Sequence, residues 1–157
     1  MRIECYIPGQ AVPQLRPRIV RKGQHYGLAE QQKVREWKAY VRFIFASEAQ
    51  KKGWQASKRP IVLSLTFYMQ APSSFSRKKQ IMAMSGEIHP TAKPDLDNLI
   101  KGVIDALNGT AWIDDSCIVE LRAKKQYSET PGVIIEVEEC NAYAALSAEP
   151  KKAESRH

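Results

Sequence analysis

The stretch "PDLDNLIKGVIDALNG", residues 94–109, constrains the fold more than any other part of the chain. Leu96, Leu99, Ile100, Val103, Ile104 and Leu107 recur at three- and four-residue intervals, which is one face of an α-helix. An unbroken apolar stripe of that length has to be buried, so this helix needs a second layer to lie on. Its other face carries Asp97, Asn98, Lys101, Asp105 and Asn108. Pro94 suits the entry to a helix, and Asn108-Gly109 is a stop signal. Asp95 then falls near the N-cap and Asp97 in the first turn. A second acidic pair, Asp114-Asp115, follows in "WIDD".

The remaining segments supply the layer. "MRIECYI" (1–7) alternates as a strand and ends at Pro8-Gly9. Residues 10–27 are rich in Pro, Gly and Arg and read as a loop. Val34, Trp37, Val41, Ile44 and Phe45 place a helix over 29–51. "PIVLSLTFYM" (60–69) reads as a strand buried on both faces. A short Ser-capped helix is expected within 73–86. "CIVELRAKKQY" (117–127) and "GVIIEVEE" (132–139) read as the two arms of a hairpin around "SETPG". This order predicts a single α+β domain, a mixed β-sheet with helices packed mainly on one face. The domain is expected to cover residues 1–139, with 140–157 a flexible tail. Trp37, Trp54 and Trp112 are expected in the core or at an interface.

A length of 157 residues suits one domain. No apolar run approaches the ~20 residues of a membrane helix, and the N-terminus lacks the apolar core of a signal peptide. Three widely spaced cysteines argue against a disulfide framework or a zinc cluster and fit a reducing cytoplasm. The net charge of +7 favours a polyanionic partner, nucleic acid above all. Carboxylates clustered within so basic a chain call for an explanation.

Two explanations stand for the acidic helix. Asp95 can cap the helix, worth ~1 kcal/mol, while Asp97, Lys101 and Asp105, four apart, form surface ion pairs. Alternatively the carboxylates hold a hard cation. Mg²⁺ typically takes one or two carboxylates plus water and phosphate oxygens, and a helix N-terminus already favours phosphate. A cap needs only one carboxylate. Asp114 and Asp115 fit either a turn or a second contribution to the same site. An EF-hand is excluded, because its required Gly and Glu positions counted from Asp95 hold Ile100 and Ala106.

Taken together, "PDLDNLIKGVIDALNG", then "WIDDSCIVEL" and a lysine-bearing strand, resembles the RusA family of Holliday-junction resolvases of bacteria and their prophages. The start "IPGQAVPQLRPR", the later "HYG" and the histidine before the motif, His89, are similar too. The resemblance covers most of residues 1–139. It implies a Mg²⁺-dependent endodeoxyribonuclease that cuts four-way DNA junctions as a homodimer. It puts the essential carboxylates at Asp95, Asp97 and Asp115 and the essential lysine at Lys101. One or two Mg²⁺ ions are expected, with Mn²⁺ as a substitute. Asp114, Asn98 and His89 are secondary candidates.

A basic surface must hold the DNA. Arg16, Arg18, Arg21 and Lys22 in "RPRIVRK" are the strongest candidates for phosphate contact. His25 and Tyr26 are candidates for stacking on a base or the DNA backbone, with packing the expected role. Two rival readings remain: a nuclease for other branched DNA such as flaps or forks, and a DNA-junction-binding protein without catalysis.

Overall fold

The computed structural model describes residues 1–140; the segment expected to form a tail lies almost wholly outside the described residues. Its frame is a four-stranded mixed sheet built from β1 (Arg2–Pro8), β4 (Ile61–Gln70), β5 (Ile118–Ser128) and β6 (Gly132–Glu139) in the order β1-β6-β4-β5. β6 runs antiparallel to both β1 and β4, while β5 runs parallel to β4 at the edge. Side chains alternate across a sheet, so one face is apolar. Ile3, Cys5 and Ile7 align with Val137, Ile135 and Val133, and these align with Leu63, Leu65 and Phe67 of β4. All nine are buried. Burial on this face also pushes the Cys5 thiol up to about 12, with the nearby Glu48 and Glu4 charges adding to it.

Two helices cover that face. α1 (Gln32–Lys52) buries Val34, Trp37, Val41, Phe45 and Ala49, and α3 (Leu96–Leu107) buries Leu99, Val103 and Leu107. Leu96, Ile100 and Ile104 pack on the same core at its margin. α1 and α3 meet at Gly102, where an added Cβ would lie 3.3 Å from the Trp37 ring and from the carbonyl oxygen of Val12. A side chain there would crowd both neighbours by a few tenths of an ångström. α2 (Arg77–Met84) is capped by Ser76, whose hydroxyl accepts from the backbone N–H of Lys79 at 3.3 Å. It packs beside β5, where Phe75 meets Tyr127 edge to face. Because β4 and β5 are parallel, the chain between them must cross over the sheet, and the crossover carries α3 onto the helical face. Trp37, Trp54 and Trp112 are all in the core.

Three expectations are corrected. The segment 10–27 is not all loop: β2 (Arg18–Lys22) and β3 (His25–Ala29) form a separate two-stranded antiparallel sheet. Lys22 pairs with His25 across a two-residue turn, and Gly23 takes the φ of 63° that such a turn needs. The strands were hidden because both of their faces are largely exposed, so no buried-exposed alternation marks them. Next, β5 and β6 are not a hairpin. The three residues Glu129–Pro131 carry the chain past the end of β4, which lies between them. Finally, β4 is fully buried on one face only; Val62, Ser64, Thr66 and Tyr68 are half-buried on the face without helices.

Candidate active site at the N-terminus of α3

Asp95 is the N-cap residue of α3 by backbone conformation, and its carbonyl accepts the first helical bond from Leu99 N at 3.2 Å. Its carboxylate does not cap: no side-chain hydrogen bond closes the helix end. Oδ2 instead takes a 2.7 Å ion pair from Lys93, whose side chain is 84% exposed. An ion pair in water is worth little and is screened by salt, so it leaves Asp95 free to exchange partners. Asp97, two residues on, is exposed and makes no hydrogen bond or ion pair among the described residues. The first turn thus presents two carboxylates beside backbone N–H groups that no side chain closes.

The expected ion-pair ladder along the helix is absent among the described residues. Asp105 pairs with Lys38 of α1 at 3.4 Å rather than with Lys101. Lys101 is exposed, one turn beyond Asp97, and has no carboxylate partner among the described residues. Asn98 is half-buried, and its carbonyl oxygen receives the backbone N–H of Gln14 at 2.9 Å. That bond ties the N-terminal segment to the first turn of α3.

A cleft of about 480 Å³ opens here, with Lys93, Pro94, Asp95 and Asn98 on one wall and Pro13 and Leu15 on the other. The opposite wall was not among the expected site residues, although it lies within the "IPGQAVPQLRPR" segment that carried part of the resemblance. Proline and leucine have no chemistry to betray a site; only their position beside Asp95 does.

The loop before α3 is held from the sheet. Lys125 of β5 donates from Nζ to the carbonyl oxygens of Ala92 and Pro94, each at 3.0 Å. Lys125 thus belongs to the support of Asp95 rather than to a free basic surface. His89 lines a separate cleft of about 370 Å³ with Lys124, Lys125 and Tyr127.

The second acidic pair enters from the other end of α3. Trp112 bridges to Asn108, and Gly109 N donates to the Trp112 carbonyl at 2.8 Å. Asp115 opens a short 3₁₀ turn, Asp115–Cys117, and its Oδ1 accepts from the Trp112 indole at 3.1 Å. Asp114 caps that turn: its Oδ2 accepts from Ser116 N at 3.1 Å and from the Ser116 hydroxyl. Those two bonds, the hydroxyl's first, hold the Asp114 carboxyl below the usual range.

Among the described residues no three His, Cys, Asp or Glu side chains converge to enclose a metal ion. A hard cation does not require such a cage, since one or two carboxylates suffice with water and phosphate oxygens. Asp95 and Asp97, unused by the cap and open to solvent, fit that donor set. Asp115 stands on its own turn, oriented by the indole. The basic candidates Arg18, Arg21 and Lys22 lie on β2 and Arg16 just before it, all exposed. No helix among the described residues is long and apolar enough to cross a membrane.

The chain is 35% identical over 143 residues to the uncharacterized protein YqaN of Bacillus subtilis, a match covering 89% of this chain and 98% of that one. The family model for endodeoxyribonuclease RusA matches residues 8–138, which takes in the cleft wall at Pro13 and Leu15, the α3 carboxylates and the turn of Asp115. With a match of that extent, the chain belongs to the RusA family of endodeoxyribonucleases, whose activity is the resolution of Holliday junctions.

Proposed function

We propose that this protein is a Mg²⁺-dependent endonuclease that resolves four-way DNA junctions by paired nicks, serving recombination and repair in the cytoplasm. The observation that carries the reading is the pair Asp95 and Asp97 on the first turn of α3. Neither carboxylate is spent on the cap, and a helix N-terminus lies beside them. Within a chain of net charge +7, such a pair is suited to a cation that itself meets phosphate.

In this reading Asp95 and Asp97 would hold one or two ions, and Asp115, on its own turn beyond the other end of α3, is the third carboxylate that the family resemblance implies. An ion held there would supply Lewis-acid polarisation of the scissile phosphate and a water of lowered pKa as nucleophile. The chain's own residues do the rest. The N–H groups of the first turn receive a phosphate oxygen. Lys101, without a carboxylate partner among the described residues, offsets charge that builds on the phosphorus in the transition state. Lys125 holds the loop from which Asp95 projects. Arg16, Arg18, Arg21 and Lys22 take flanking phosphates, so affinity falls steeply with salt. A junction has approximate two-fold symmetry, and a C₂ homodimer would set two such sites for paired cuts.

The test is cleavage of a labelled four-way junction beside a linear duplex of the same sequence, in Mg²⁺ or EDTA. The wild type is expected to nick the junction symmetrically in Mg²⁺ only. Asp97→Asn is expected to bind the junction and leave it intact. Cutting that survives in EDTA, or an active Asp97→Asn protein, would refute the metal site. Preferred cutting of flaps or forks would change the substrate. Binding with no cutting in any metal would make the protein a junction-binding module.

A further inference from the structure

The β2–β3 hairpin displays an apolar face that the core does not use. Ile19 pairs with Leu28 and Arg21 with Tyr26, and directly paired residues share one face. Ile19 and Tyr26 are each 74% exposed and Leu28 is 70% exposed. His25 and Tyr26 therefore do not pack, contrary to the expectation from sequence. Cations rim the arm: Arg16 at its root, Arg18 and Lys22 on the other face, and Arg21 beside Tyr26. None of the four has a carboxylate within ion-pair distance among the described residues, although Glu30 lies just past β3. Glu30 is engaged by Lys38 instead. The arm also grows from the active-site cleft, since Leu15 lines the cleft and β2 begins at Arg18.

We propose that this hairpin is a branch-reading arm. Its Ile19–Tyr26–Leu28 face enters the open centre of branched DNA and stacks on bases left accessible there, while its cations take the phosphates alongside. The inference rests on the nuclease reading and adds the source of its selectivity. DNA suits both parts of the surface, offering phosphates to the rim and base faces to the apolar strip. A second copy docked isologously on this arm would instead bring like charges together. Selectivity follows from the cost of access. In a linear duplex the bases are stacked, and a wedge must unstack them first. At a branch point that cost is reduced, so the apolar face adds affinity only there.

The experiment uses the full chain in EDTA. Dissociation constants are measured for a four-way junction and for a linear duplex of the same sequence, the junction carrying 2-aminopurine at the crossover. The proteins are wild type, Tyr26→Ala, Tyr26→Phe and the double variant Ile19→Ser/Leu28→Ser. Thermal melting and sedimentation accompany each, and Mg²⁺ cleavage by the wild type is run alongside. Tyr26→Ala is expected to weaken junction binding roughly tenfold, to leave duplex binding within about twofold, and to lose the 2-aminopurine response. Tyr26→Phe keeps the ring and is expected to behave as wild type.

An unchanged junction-to-duplex ratio in both the alanine and the double variant overturns the proposal. So does an equal loss on both DNAs in a folded variant, which would mean phosphate contact alone. A variant that changes oligomeric state would assign the face to an interface between copies and overturn it as well. The two readings fail separately. A wild type that selects junctions through Tyr26 yet never cuts them retires the nuclease and keeps the arm. A wild type that cuts junctions with an indifferent Tyr26→Ala retires the arm and keeps the nuclease.

Discussion

The indole N–H of Trp112 donates to Oδ1 of Asp115 across 3.1 Å. Trp112 is fully buried and therefore immobile, while Asp115 is only half-buried on a short turn. A buried donor thus sets the direction of a carboxylate that stands on a short turn. Trp112→Phe keeps most of the packing and removes the donor. It is expected to lower Mg²⁺-dependent cleavage roughly 10- to 100-fold, as removal of a residue that orients a ligand does. Raising Mg²⁺ should recover part of the loss. Titration of Mg²⁺ against junction cleavage checks this, and an unchanged Mg²⁺ dependence would separate Asp115 from the metal.

Lys125 acts on the opposite end of α3 through the carbonyls of Ala92 and Pro94. Its ammonium is three donors on a flexible stem, and two of them are used here. Lys125→Met keeps the stem and drops both bonds, so the loop carrying Asp95 loosens. Cleavage is expected to fall about tenfold or more with junction affinity nearly unchanged. Amide exchange at residues 92–95 is expected to rise. A variant that loses affinity and keeps its turnover rate would make Lys125 a plain DNA contact instead.

A third relationship anchors the arm. Glu30, just past β3, pairs with Lys38 of α1, which also reaches Asp105 of α3 at 3.4 Å. The Lys38 hydrogen bond, helped by Gln14, holds the Glu30 carboxyl below its ordinary value. A carboxyl lowered in the folded state contributes stability above its unfolded pKa, and that contribution fades as pH falls through the folded value. The native protein should therefore lose stability on acidification from the ordinary glutamate range downward. Lys38→Met leaves two carboxylates facing each other without their cation, and should cost about 1–2 kcal/mol near neutral pH. Its stability should then respond less steeply to acid. Denaturant unfolding of both proteins across that pH range measures the difference, and parallel pH curves would sink the account.

Local rules made α3 readable from its residues. Its apolar period, its proline entry and its Asn-Gly exit are short-range facts about one helix, and they located Asp95, Asp97 and Lys101 on one turn and a half. The strands of the main sheet and the Ser76 cap followed from equally local patterns. Which strands pair is a different kind of fact. The residues between β5 and β6 are typical of a turn, yet they pass over the end of β4, because the sheet buries most when β4 sits between two partners. Nothing within "SETPG" encodes that choice. The β2–β3 arm escaped for a related reason: strands exposed on both sides lack the alternation that burial imposes.

The site divides the same way. Residue type and spacing determined which carboxylates sit on α3. Only the tertiary structure decided that Asp95 does not cap, that Asp105 turns to Lys38, and that Lys125 and Leu15 belong to the site's surroundings. Asp95 turns to Lys93, two residues back, but the other outcomes depend on partners tens of residues away in the chain. Hydrogen bonds and ion pairs are won by whichever group packing brings within about 3 Å, and packing is a property of the whole fold.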